Sequence, residues 1–134
     1  MNAESSLTLV LEVSRHENQL KMSLYEQKEL AHTLRRYNQC LLDLEEINKL
    51  CREISSLLNK AARSAAKNQD FLSGLKKSCY LLWNLLLTHS VKSRLKNTAE
   101  KNLILSLDEE LISIPWELLY DGRDFLSLKF NLGR

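Results

Sequence analysis

At 134 residues, 44% of them hydrophobic and 27% charged, the chain is the size of one domain with an ordinary globular composition. Three glycines and one proline are too few for a disordered or loop-rich all-β chain, so helices should dominate. The net charge is only +2, and three widely spaced cysteines, an odd number, argue against a disulfide framework.

The small net charge hides a division. Residues 1–48 hold five Lys/Arg and eight Asp/Glu, residues 49–100 ten and three, and residues 101–134 four and six. The basic middle third has no interleaved aromatics and no nucleic-acid motif, so a solvated helix face is expected there rather than a nucleic-acid surface. The longest apolar stretch, Leu81 to Leu87, is broken by Asn84 and falls far short of the ~20 residues of a membrane span. No secretory leader pattern opens the chain, and a reducing cytoplasm is the expected location.

In chain order, residues 7–14 and 20–26 alternate between apolar and polar positions around a polar RHENQ turn, which predicts a β-hairpin. Leu7, Leu9, Leu11 and Val13 should share one face with Leu20, Met22 and Leu24. Residues 27–38 form a polar bridge, expected as loop with some helix. From Gln39 the spacing becomes helical: Cys40, Leu44, Ile47, Cys51, Ile54 and Leu58 fall on one stripe, widened by Leu41, Leu50 and Leu57. This helix should reach about Ala66. Asn68 or Asp70 is placed to cap a second helix, whose stripe is Leu72, Leu75, Cys79, Leu82 and Leu86. A short polar turn between the two makes an antiparallel pair. Gly74 either lets the first helix approach closely or is simply tolerated, at a cost of about 1 kcal/mol relative to Ala.

The last third predicts a strand at Leu103 to Leu107, a turn at Asp108 to Glu110 and a short helix from Ser113 to Tyr120 ended by Gly122. Phe125 to Phe130 alternates like a strand. The fold class is therefore α+β: hairpin and linker over 1–38, helix pair over 39–98, and a strand-helix-strand unit over 99–134.

The run NLILSLDEELISIPWELLYDGRDFLSLKFNLGR resembles the segment that opens the CHAT domain of bacterial caspase-like proteins, where a strand ending in Asp leads to I-P-W-E-L-L, an Asp-Gly turn and a strand closing on Gly-Arg. INKLCREISSLLNKA and LKKSCYLLWNLLLTHSVKSRL resemble the helices that precede it. Together they cover roughly residues 40–134. The resemblance implies a caspase-like sandwich and a His–Cys dyad, a thiolate activated by a neighbouring imidazole. Those two motifs lie further along in the family, so the chain is expected to stop before them and to hold no catalytic dyad of its own.

No catalytic, cofactor or metal-binding residue is assigned. Cys40, Cys51 and Cys79 fall on apolar stripes, where an inert thiol is expected. His16, His32 and His89 lack metal-ligand spacing. Asp108, Glu117 and Asp121 suit turns and helix ends, Trp116 suits a core, and Arg123 and Arg134 suit pairing with Asp121 or Asp124. The expected partners are the downstream peptidase portion or another protein, with self-association through the C-terminal strand. The different-class alternative is a stand-alone protein-binding module using the helix pair, its basic face or the hairpin groove.

Overall fold

A computed structural model describes residues 7–27, 37–63 and 69–134. Strands β1 (Thr8–His16) and β2 (Gln19–Glu26) form the predicted hairpin, with His16 facing Gln19 across a two-residue turn. Glu17 takes a left-handed φ of 56°, and the Arg15 Nε–H donates to its carbonyl at 2.8 Å. The strands are longer and the turn tighter than the polar RHENQ run suggests. Ladder hydrogen bonds suit polar residues when their side chains face away from the core.

The polar bridge lies mostly in 28–36, outside the described residues. It ends in β3 (Asn38–Leu41), an antiparallel partner of β2. The first helix thus starts later than Gln39, at Leu44, and spans α1 (Leu44–Arg63). Cys40 is a strand residue, because the four positions before the helix extend the sheet. Its side chain sits opposite Leu20 on the core side, where the thiol approaches the Leu86 carbonyl at 3.8 Å. The Asp43 carboxylate accepts the Glu46 N–H at 3.1 Å at the helix entry.

α2 (Gln69–Leu86) packs antiparallel on α1, as the Ser78 Oγ–H to Glu53 bond at 3.3 Å and the Gly74–Leu57 approach together require. Ile47, Leu50 and Ile54 of α1 meet Leu75, Cys79, Leu82, Trp83 and Leu86 of α2 in the core. The seam is rotated slightly from the expected stripe: Leu41, Leu44, Leu58 and Leu72 are each 40% or more exposed, Leu50 at the stripe's margin is fully buried, and Trp83 joins it. A Cβ built on Gly74 would meet Leu57 at 3.8 Å, an ordinary contact, so this glycine is tolerated rather than required. The second helix does not continue to 98. A break at Leu87 and Thr88 begins α3 (His89–Asn97), with Val91 and Leu95 buried.

β4 (Asn102–Leu107) then pairs parallel with β1, Leu9 beside Leu103 and Val13 beside Leu107. A turn follows β4 as expected, but residues 113–120 are not the expected helix, and the residues from Asp108 to Leu119 stay irregular. They make two 3₁₀ turns, Glu109–Leu111 and Trp116–Leu118, because Pro115, at ψ 73°, holds the backbone out of the helical region just where an α-helix would have begun. Phe125 to Phe130 is not a strand either. α4 (Leu126–Lys129) occupies it, burying Leu126 and Phe130, four apart on one side of the turn, and leaving Leu128 78% exposed. The final strand is instead β5 (Asn131–Gly133), parallel to β4.

The five strands run β3-β2-β1-β4-β5. Leu9, Leu11, Val13, Leu20, Met22, Leu103 and Leu105 face the helices and share one core with them. The class is α+β, and hairpin, helices and C-terminal segment all feed that core. The second sheet face alternates with the first and carries Glu12, Ser14, Lys21, Ser23, Tyr25 and Ser106. Both edge strands are short, which limits strand-to-strand association.

Ile47→Ala or Leu82→Ala should cost about 2–5 kcal/mol and Trp116→Ala about 3–5 kcal/mol. Lys77→Ala should stay within about 0.5 kcal/mol. Gly74→Ala should add up to about 1 kcal/mol through helix propensity. Urea unfolding midpoints at constant m-value check all five, and equal effects of Ile47 and Lys77 substitution would displace the assigned seam.

Candidate functional site

The carboxyl ends of β1 and β4 lie side by side, and there a groove of about 350 Å³ opens between the second sheet face and Tyr37. Carboxyl ends of parallel strands are where ligand sites form in open sheets. Alternation along the strands brings Glu12, Ser14, Lys21 and Ser106 to the groove, and the turn after β4 adds Asp108.

Most of the polar groups in it are anchored. Asp108 accepts the Arg15 N–H at 2.7 Å through Oδ2 and donates its own N–H to the Val13 carbonyl at 3.2 Å, so this carboxylate ties the end of β4 to β1. The Arg15 guanidinium reaches Glu110 at 3.4 Å. The Tyr25 hydroxyl donates to Glu12 at 3.0 Å. The Lys21 ammonium sits 4.7 Å from the centre of the Tyr37 ring, a cation–π contact. Ser14 Oγ and His16 Nε2 are 3.3 Å apart. A serine nucleophile needs its imidazole oriented by a third group, and the exposed His16 ring has no such described partner. The pair therefore lacks the third group that an activated nucleophile needs, in a groove whose lining is mostly polar.

The thiols stand apart from it. Burial raises the pKa of Cys40 and Cys51, the nearby Lys92 charge partly opposing it at Cys40. Burial first, then the neighbouring Cys51, pushes Cys79 from 9.0 up to about 11. Protonated thiols are poor nucleophiles. His89 is exposed, His32 lies outside the described residues, and no described cysteine hydrogen-bonds an imidazole. Among the described residues no three His, Cys, Asp or Glu side chains gather for a metal. No described helix is long and apolar enough to cross a membrane.

The residues that carry the family resemblance act as one hydrogen-bonded unit. Trp116, fully buried, donates Nε1–H to the Leu111 carbonyl at 2.8 Å, which folds the 3₁₀ turns back on themselves. Asp121, 4% exposed, accepts the N–H groups of Arg123 and Asp124, both at 2.8 Å, and closes the turn in which Gly122 takes φ 99°. Tyr120 and Phe125 bridge across that turn with ring centres 5.0 Å apart. Arg134 pairs with neither Asp121 nor Asp124. Its guanidinium instead grips both Glu117 oxygens at 2.8 and 2.9 Å and the Ile112 carbonyl at 3.0 Å, since β5 runs alongside β4 in the same direction and delivers it beside the Trp116–Leu118 turn. Arg123 meets Asp121 only through its backbone N–H.

Residue-type reasoning missed the groove. Its signal is the polar half of each strand's alternation, but only the parallel β1–β4 pairing, 94 residues apart at each rung, assembles it. No protein-family model matches the chain, and no curated protein matches it in sequence.

Maleimide labelling of the native chain at neutral pH should be slow at Cys79 and should accelerate in denaturant. A thiol pKa raised on folding means that the native state holds its proton more tightly, so Cys79 contributes stability fully below pH 9.0 and loses it as pH rises toward about 11. Melting temperature measured from pH 8 to 11 should fall more steeply in the wild type than in Cys79→Ala. Arg134→Ala should cost roughly 1 kcal/mol, the upper range for a half-exposed bidentate pair, and raise amide exchange at residues 131–133 first.

Proposed function

We propose that this chain is the N-terminal scaffold and regulatory portion of a CHAT-family caspase-like cysteine peptidase, with the nucleophile and its imidazole supplied by sequence outside it. The reading rests on the resemblance over roughly residues 40–134. One observation supports it: Trp116, Glu117, Asp121, Gly122 and Arg134, all within the resembling run, each hold the connection between two parallel strands. Such residues matter for a sheet that is to be extended, and β5 is an edge strand from which it could grow. The same edge would serve a second copy of the chain. Cytoplasmic residence belongs to this reading, because Cys40, Cys51 and Cys79 are free thiols.

The coding sequence past the codon for Arg134 tests it. An in-frame continuation with a His-Gly motif and a later cysteine in a strand-end context is expected, and a stop codon at that point overturns the peptidase reading. The purified 134-residue chain should hydrolyse no peptide substrate. Hydrolysis lost on His16→Ala or on substitution of one cysteine would place chemistry in this chain and refute the scaffold role. The rival reading, a stand-alone module that holds a protein partner, draws on the cationic outer side of α1.

A further inference from the structure

A groove of about 630 Å³ runs along the outer side of α1 to Ser113. Arg52, Lys60 and Arg63 line it with Ser55, Ser56 and Asn59, and no carboxylate does. All three cations are exposed, and none has a described hydrogen-bond or ion-pair partner. Several basic side chains elsewhere are engaged: Arg94 with the Leu24 carbonyl, Lys92 with Asn84, Lys129 with the carbonyls of Leu95 and Lys96, Arg134 with Glu117. The acids of α1 are kept off the groove. Glu45 and Glu46 occupy the first turn, and Glu53 accepts from Ser78 on the side toward α2.

We propose that this groove binds an acidic peptide segment of a partner protein. Lys60 and Arg63 also offset the negative end of the helix dipole, which explains their sign but neither Arg52 nor the absence of carboxylates. From Arg52 to Arg63 the helix rises about 16 Å at ~1.5 Å per residue. An extended peptide rises about 3.3 Å per residue with alternate side chains on one side, so about six residues span the cations, with acids on that side near Arg52 at one end and near Lys60 and Arg63 at the other. Ser55, Ser56, Asn59 and Ser113 supply hydroxyls and an amide for the peptide backbone. Single-stranded nucleic acid fits less well, because it draws on aromatic platforms for its bases and no aromatic lines the groove. The site stands whether or not the chain belongs to a peptidase.

The probe is a short fluorescein-labelled peptide alternating glutamate and serine, titrated with the full chain and followed by anisotropy. Saturable binding is expected, absent for the same peptide with glutamine in place of glutamate. The triple variant Arg52→Glu, Lys60→Glu, Arg63→Glu should weaken it by at least about tenfold, whereas Lys77→Glu, Lys101→Glu, Arg123→Glu, the same charge change outside the groove, should weaken it less than about twofold. The triple Arg52→Gln, Lys60→Gln, Arg63→Gln should still melt cooperatively, within several degrees of wild type because two charges at the helix end are lost, and should still lose binding, which separates recognition from misfolding. Absence of saturable binding overturns the proposal. So does equal weakening by both glutamate triples, or tighter binding of an oligo-dT of equal charge that the groove variants also abolish.

Discussion

The parallel pairing of β1 with β4 is the constraint from which the rest follows. A parallel partner cannot be reached by a tight turn, so the chain must cross over before returning alongside β1. The crossover contains β2, β3 and the three helices. β1 is bonded on both sides, and its inward row Leu9, Leu11 and Val13 becomes the floor on which α1, α2 and α3 lie. Register matters because a one-residue slip would turn those three side chains out and bring Glu12 and Ser14 into the core. Asp108 secures the register where the ladder ends, by holding the Arg15 N–H and giving its own N–H to Val13.

The same pairing separates two chemical environments. On the helix side burial is nearly complete, and the thiols there are held protonated by desolvation. On the other side the polar half of the alternation gathers Glu12, Ser14, Lys21 and Asp108 at the strand ends. Cations from α1 onward follow a related division. Those that meet the sheet or the C-terminal segment bond to carbonyls, as Arg94 and Lys129 do, and burial lowers the Lys129 pKa below its ordinary value, the Asp121 and Asp124 charges partly opposing it. Those on the far side of α1 face water.

The C-terminal segment shows how few residues stabilise a connection without regular structure. From Asp108 to Arg134 the backbone makes only short turns, one helical turn and three strand residues. Irregular backbone leaves many N–H and C=O groups without ladder partners. Trp116, Asp121 and Arg134 meet several of them from their side chains, which is why the segment reads as a dense, specific motif rather than as a periodic pattern.

What the sequence determined by itself is whatever periodicity encodes over a long enough window. The hairpin was legible because alternation over eight residues has one reading, and α1 and α2 because four or five turns of stripe average out a single misplaced leucine such as Leu58 or Leu72. Short segments were not legible. Phe125 to Phe130 satisfies both a two-residue and a four-residue period, and Leu126 and Phe130 packing into the core selected the helical turn. Cys40 lay on a helical stripe by spacing, yet the free edge of β2 drew its segment into the sheet. The groove, the Glu117–Arg134 grip and the β1–β4 ladder join residues far apart in the chain. Their geometry depends on how the crossover closes, and only the tertiary structure decides that.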